Sequence, residues 1–130
     1  MQPLRKTDKP WGYELLWATT EHYAAKVLHI AKGHRLSLQY HERKQETMLL
    51  YSGRMRLILE DDHGALREIL VAPGEAYHIP ARRRHRMEAL EECEVFEVST
   101  NDLDDVVRLE DSYGRAPALS APAPILRPAR

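Results

Sequence analysis

The chain contains a single cysteine, Cys93. A lone thiol excludes an intrachain disulfide framework and any zinc site built from several cysteines, and it fits a reducing compartment. Long apolar runs are missing as well. None approaches the ~18 residues that a membrane-crossing helix needs. The opening Met1-Gln2-Pro3-Leu4-Arg5-Lys6 is polar and no apolar stretch follows it, which argues against a secretory signal. The expectation is a soluble cytoplasmic protein with no membrane partner. Charge of one sign is also lacking: Lys+Arg number 19 and Asp+Glu 20, for a net charge of −1. A domain that binds nucleic acid is usually strongly basic, so no nucleic-acid partner is expected. Between Leu15 and Ser99 no long amphipathic helix can be traced, and no internal repeat appears.

What is present is an ordinary globular composition, 43% hydrophobic and 30% charged over 130 residues, enough for one domain with a real core. The apolar residues fall into short β-rich segments. These are Tyr23 to Ile30, Leu36 to His41, Gln45 to Tyr51, Arg54 to Leu59, Arg67 to Val71, Glu75 to Ile79 and Glu92 to Val98. Turn signals separate several of them, among them Ser52-Gly53, Asp61-Asp62-His63-Gly64 and Pro73-Gly74. The last segment alternates with period two and sets Cys93, Val95 and Glu97 on one face. Leu103 to Leu109 reads as either a strand or a single helical turn. Short strands at near-regular spacing imply an all-β sandwich or barrel. Residues 1–115 form the expected domain. Residues 116–130, APALSAPAPILRPAR, are too rich in proline for a helix or a central strand. They are read as an extended Pro-rich C-terminal arm.

Chemistry concentrates around residues 39–46. Gln39 and His41 are two apart, so on a strand both face the same side, and Glu46 on a neighbouring strand can join them. His85 follows a proline turn. Two imidazoles, a carboxylate and an amide oxygen suit one divalent transition metal: Zn, Mn, Fe, Co or Ni. His22, His29, His34, His63 and His78 have no comparable partners and are read as structural.

Gly33, Gln39, His41, Glu46 and Gly53 form G-x5-Q-x-H-x4-E-x6-G, and Gly74, Pro80 and His85 form G-x5-P-x4-H. Together they resemble the two cupin motifs, with Gln39 standing where a histidine is usual. LSLQYH, the early KPWG and the late VVRLEDSYGR resemble more narrowly the cupin domain of type II mannose-6-phosphate isomerases, from Trp11 to Arg115. The resemblance implies a double-stranded β-helix (jelly-roll) barrel and metal ligands at Gln39, His41, Glu46 and His85. It is to the cupin domain alone and does not imply guanylyltransferase activity. It also implies functional roles for Arg108, Arg115 and Glu97, and, as in other cupins, a homodimer.

Several positions depart from that family's pattern. Its RAEHW is Lys44-Gln45-Glu46-Thr47-Met48 here, and its Pro-Ala-Gly turn is Pro80-Ala81-Arg82. Arg82, Arg83, Arg84 and Arg86 surround His85, and a basic mouth would attract an anionic substrate such as a phosphorylated sugar. The expected reaction is aldose–ketose isomerisation through an enediolate. Glu97 is a candidate base, and so is Lys44 if burial lowers its pKa. Arg108 acts in catalysis, and Arg86, Arg115 and Arg82 bind substrate. Two alternatives stand beside this reading: a metal- or sugar-binding cupin without turnover, and another small-molecule cupin enzyme such as an oxygenase.

Overall fold

A computed structural model describes residues 4–117 together with the backbone of Ile125–Leu126. Among these residues there is no helix. The strands are β1 (Arg5–Lys9), β2 (Gly12–Thr19), β3 (Ala24–Ile30), β4 (Leu38–Tyr40), β5 (Glu46–Ser52), β6 (Met55–Glu60), β7 (Leu66–Val71), β8 (Ala76–Ile79), β9 (His85–Ala89), β10 (Cys93–Ser99), β11 (Val107–Glu110) and β12 (Ile125–Leu126). They form two six-stranded sheets, in the orders β1-β2-β3-β10-β5-β8 and β11-β4-β9-β6-β7-β12. Every pairing is antiparallel except β12, which lies parallel to β7. This is the all-β architecture expected from the strand spacing and the jelly-roll barrel that the cupin resemblance implies.

Period-two alternation drives the layering. Met48 and Leu50 of β5, Leu57 of β6, Met87 and Ala89 of β9 and Cys93 and Val95 of β10 turn inward and make one core with Leu28 and Ile30. Each fully buried aliphatic side chain there contributes about 1.5–3 kcal/mol. At the β5–β6 turn Gly53 has φ 98°, and a Cβ would meet the Glu92 carbonyl oxygen at 2.2 Å. The last glycine of the first motif is therefore required by chain packing.

Three findings extend or resolve the sequence reading. The hairpin β1–β2 has no counterpart among the anticipated strands, because Arg5–Lys9 carries no apolar residue and forms an exposed edge. The ambiguous stretch 103–109 ends in a strand, β11, which pairs with β4. Of the Pro-rich arm, only Ala116, Pro117 and the backbone of Ile125–Leu126, which lies against Leu66–Arg67, are described. The rest of that arm lies outside the described residues.

Candidate metal centre and substrate cavity

Three predicted ligands converge at one end of the barrel. The ligand atoms of His41, Glu46 and His85 all lie within 4.8 Å of one another, and all three residues are buried. Three separate pieces of chain bring them together: His41 directly follows β4, Glu46 opens β5 and His85 opens β9. The ring centroids of the two histidines are 5.1 Å apart.

Backbone carbonyls aim both rings. His41 Nδ1 is 2.6 Å from the Asp105 carbonyl oxygen, and His85 Nδ1 is 2.8 Å from that of Arg83. A carbonyl only accepts, so each Nδ1 carries the proton and donates it. In the neutral ring Nε2 is then a lone pair. His41 Nε2 and His85 Nε2 lie 3.4 Å and 3.1 Å from Glu46 Oε1, yet both are buried without a hydrogen-bond partner among the described residues. Two lone pairs converging on one carboxylate oxygen leave a place that a cation satisfies. The donor set, two imidazoles and a carboxylate with their outer nitrogens held, is that of a divalent transition metal.

Asp105 has a second task. Its carboxylate accepts the amide protons of Glu42, Arg43 and Lys44 at 2.7–3.0 Å. It thereby shapes the loop that carries His41 toward Glu46. Those amides hold the Asp105 carboxyl down at about 2. Sequence reasoning missed this residue, since nothing local marks a partner more than sixty residues away.

Beside the triad, Lys44 and Glu97 are both buried. Lys44 Nζ lies 3.1 Å from Glu97 Oε1 and 3.2 Å from Glu46 Oε2. Burial pulls the Lys44 ammonium down, but the charges of Glu97 and Glu46 outweigh it and its pKa is raised. This corrects the expectation that burial would make Lys44 a base: it is a fixed cation. Burial, and then the charge of Glu46, push the Glu97 carboxyl up to about 8. Burial pushes the Glu46 carboxyl the same way, but its close contacts with Glu97, His41 and His85, with the Lys44 charge, hold it well below the usual range. Thr47, where the related motif has histidine, lies in register with Val98 and His78. It sits between the inward Glu46 and Met48, so it belongs to the outer face of its sheet and takes nothing from the site.

A cavity of about 230 Å³ opens beside these groups. Gln39 lines it, across the ladder from His85, and its Oε1 accepts from Ser37 Oγ at 2.5 Å. Arg108 also lines it, opposite Gln39 on β11. The Arg108 Nε is buried without a partner among the described residues. Burial, and then the nearby Arg115 charge, lower the guanidinium pKa. Arg115 lines the cavity too, while its side chain is held by Asp111 through two hydrogen bonds of 2.8 Å and 3.0 Å.

The other two expected substrate arginines are placed differently. Arg86 lines the cavity but is buried, and its guanidinium donates to the Leu36 carbonyl, the Glu110 carboxylate and the Glu110 carbonyl. It pins β9 to the edge formed by β4 and β11. Arg82 is not among the residues lining the cavity, and its side chain is 79% exposed. Its contribution is an amide that donates to the His41 carbonyl at 2.7 Å, from a backbone with φ 66°. That left-handed conformation favours glycine, which explains the glycine usual in the related turn.

The first hairpin and β3 supply what the sequence reading left out. Lys9, Glu14 and Lys26 all line the cavity. Lys26 had a local signal: in Ala24–Ile30 it shares the inward phase of Leu28 and Ile30.

A two-histidine, one-glutamate cluster inside a small jelly-roll barrel defines a cupin. The family described as mannose-6-phosphate isomerase C-terminal matches residues 1–111, and the chain belongs to that family. It is 32% identical over 117 residues to the mannose-1-phosphate guanylyltransferase ManC of Salmonella typhimurium, covering 85% of this chain and 23% of that protein. It is 31% identical over 122 residues to the alginate biosynthesis protein AlgA of Pseudomonas aeruginosa, covering 88% of this chain and 24% of that one. The chain thus spans about a quarter of the length of the curated relatives it matches. Among solved structures, KdgF from Halomonas sp. superposes with TM-score 0.67 at 22% identity, covering 77% of this chain and 88% of that chain. An oxalate decarboxylase of Bacillus subtilis superposes with TM-score 0.74 at 20% identity, covering 88% of this chain and 32% of that chain. The Bacillus enzyme has Mn(II) centres.

Proposed function

We propose that this cupin is a metal-dependent isomerase that interconverts the aldose and ketose forms of a phosphorylated sugar resembling mannose 6-phosphate. The observation that carries the reading is the pair of orphaned histidine nitrogens facing Glu46 in a cavity that also presents Arg108, whose buried Nε has no partner among the described residues. Family membership supports the substrate class.

His41, Glu46 and His85 would hold the metal, with Gln39 beside them as a fourth donor. A bound divalent ion supplies Lewis-acid polarisation of a carbonyl. Arg108 binds the anionic end of the substrate, with Arg115 adding positive potential from its Asp111 tether. Glu97 stands on the cavity wall next to the triad, where its deprotonated carboxylate takes the hydrogen alpha to the carbonyl as a proton and returns it to the neighbouring carbon. Lys44 stays an ammonium and fixes Glu97 and Glu46 in place. The barrel wall excludes bulk water from the reacting carbons.

The test combines plasma mass spectrometry with a proton-exchange assay. About one transition metal per chain, lost in His41→Ala, is expected. Metal-loaded protein in D2O should convert mannose 6-phosphate and exchange the hydrogen alpha to its carbonyl. Metal-loaded protein that does neither overturns the isomerase reading. Failure to take up Mn, Fe(II), Co, Ni or Zn overturns the metal reading itself.

A further inference from the structure

The inner face of the first sheet carries a row of charges that the triad does not explain. Across β1, β2, β3, β10 and β5, adjacent in that order, stand Lys9, Glu14, Lys26, Glu97 and Glu46, all lining the cavity. Lys26 is in register with Glu97. Glu97 and Glu46 belong to the metal end. Glu14 and Lys26 form a unit of their own toward the first hairpin. Lys26 Nζ lies 3.2 Å from Glu14 Oε1, with side chains only 15% and 17% exposed. Lys9 Nζ approaches the same oxygen at 4.0 Å.

Such a pair is a poor device for stability alone. Removing both charges from water costs free energy that mutual attraction barely recovers, and apolar residues of similar volume would serve the fold as well. Its chemistry is also unfinished. Both cations use Glu14 Oε1, and among the described residues no hydrogen bond engages the other oxygen, Oε2. An ammonium has three protons to donate, and among the described residues the Lys26 side chain makes one hydrogen bond, to Glu14. The cavity wall therefore offers a charged acceptor and a charged donor side by side. That is the complement of neighbouring hydroxyl groups, each of which can donate to a carboxylate and accept from an ammonium. Arg108, by contrast, comes from the other sheet and offers only donors, the complement of an anion.

We infer that Glu14 and Lys26 form a polyol-reading subsite that sets specificity for the hydroxylated part of the substrate while Arg108 takes its anionic group. The inference rests on the proposed sugar-phosphate reading and assigns that substrate's two ends to opposite sheets. Hydrogen bonds to charged partners are strong enough that losing either side chain should weaken sugar binding about tenfold.

Calorimetric binding to metal-free protein tests this, with mannose 6-phosphate and inorganic phosphate as probes. Glu14→Gln and Lys26→Met should each weaken mannose 6-phosphate about tenfold and leave phosphate binding unchanged. Arg108→Met should weaken both. The double variant Glu14→Leu with Lys26→Met replaces the pair by apolar bulk. Its phosphate affinity reports whether the cavity is still folded, and it too should lose the sugar preference. Unchanged mannose 6-phosphate affinity in folded Glu14 and Lys26 variants overturns the subsite and leaves the proposed function standing. Wild-type protein that binds phosphate no more weakly than mannose 6-phosphate overturns the sugar-phosphate reading, and the subsite with it.

Discussion

The two ends of the barrel are built by the same strands and have opposite chemistry. Going inward along β5, the buried positions read Glu46, Met48, Leu50. Along β9 the alternate positions on the same face read His85, Met87, Ala89. Backward along β10 they read Glu97, Val95, Cys93. Each strand begins with an ionisable side chain and ends, two steps on, in a dry apolar core where Leu50, Leu57, Cys93 and Val95 have no accessible surface. Burial is nearly equal at both ends, but satisfaction is not. The apolar end is complete in itself. The polar end holds two histidine nitrogens and an arginine nitrogen without partners. The difference shows where folding free energy comes from and where it has been given up: unsatisfied buried polar groups are costly to a fold and useful to a ligand.

Breaking the apolar end should have the largest effect. Leu57→Ala removes a fully buried side chain between β7 and β9 and is expected to cost about 3 kcal/mol in chemical denaturation. Because the change lies in the other half of the barrel, the folded variant should still bind metal at wild-type stoichiometry. Loss of metal together with stability would mean the two ends are not separable. Filling the polar end should act next most strongly. Manganese at a hundred times its Kd should raise unfolding free energy by about 2.7 kcal/mol. The same addition to His41→Ala should do almost nothing. An equal rise in both proteins would place the ion elsewhere.

The comparison also explains how much could be read from sequence. The apolar end was legible because its signal is local: alternation within seven-residue stretches such as Cys93–Ser99 gives strand, face and core together. His41, Glu46 and His85 were legible through motif spacing. Asp105 and Glu14 were not, because what they meet depends on how separate segments pack, which alternation in one strand cannot reveal; for Lys26 the strand showed the inward phase but not the partner. Edge strands were hard for a related reason. With one neighbour or none, as in Arg5–Lys9, they need little apolar surface. Arginine identity alone was equally uninformative. Arg86 and Arg108 are both partly or wholly inside, but only Arg86 has acceptors placed around its guanidinium.

A smaller effect separates Arg82's backbone role from its charge. A non-glycine residue in the left-handed region costs about 1 kcal/mol or somewhat more, and glycine returns part of that gain as unfolded-state entropy. Arg82→Gly should therefore stabilise the protein by about 0.5 kcal/mol, with metal uptake and phosphate affinity unchanged. Weaker phosphate binding would restore Arg82 to the substrate site despite its exposure.

The smallest effect lies outside the barrel interior, in the exposed loop between β6 and β7. Asp61 accepts from Arg67 Nε at 2.9 Å and from the amides of His63 and Ala65 at 2.8 Å and 3.0 Å. Led by the Arg67 hydrogen bond, these contacts hold its carboxyl at about 2, below the ordinary 3.8. The folded state thus prefers the charged form. Its contribution is complete above pH 3.8, shrinks as pH falls and is gone below about 2. The Ala65 amide resonance should titrate with a midpoint near 2, and Asp61→Asn should remove that titration without altering metal uptake. A midpoint near 3.8 would mean the loop contacts are too weakly held to bias the proton. Exposure, rather than the number of hydrogen bonds, would then separate this loop from the barrel's polar end.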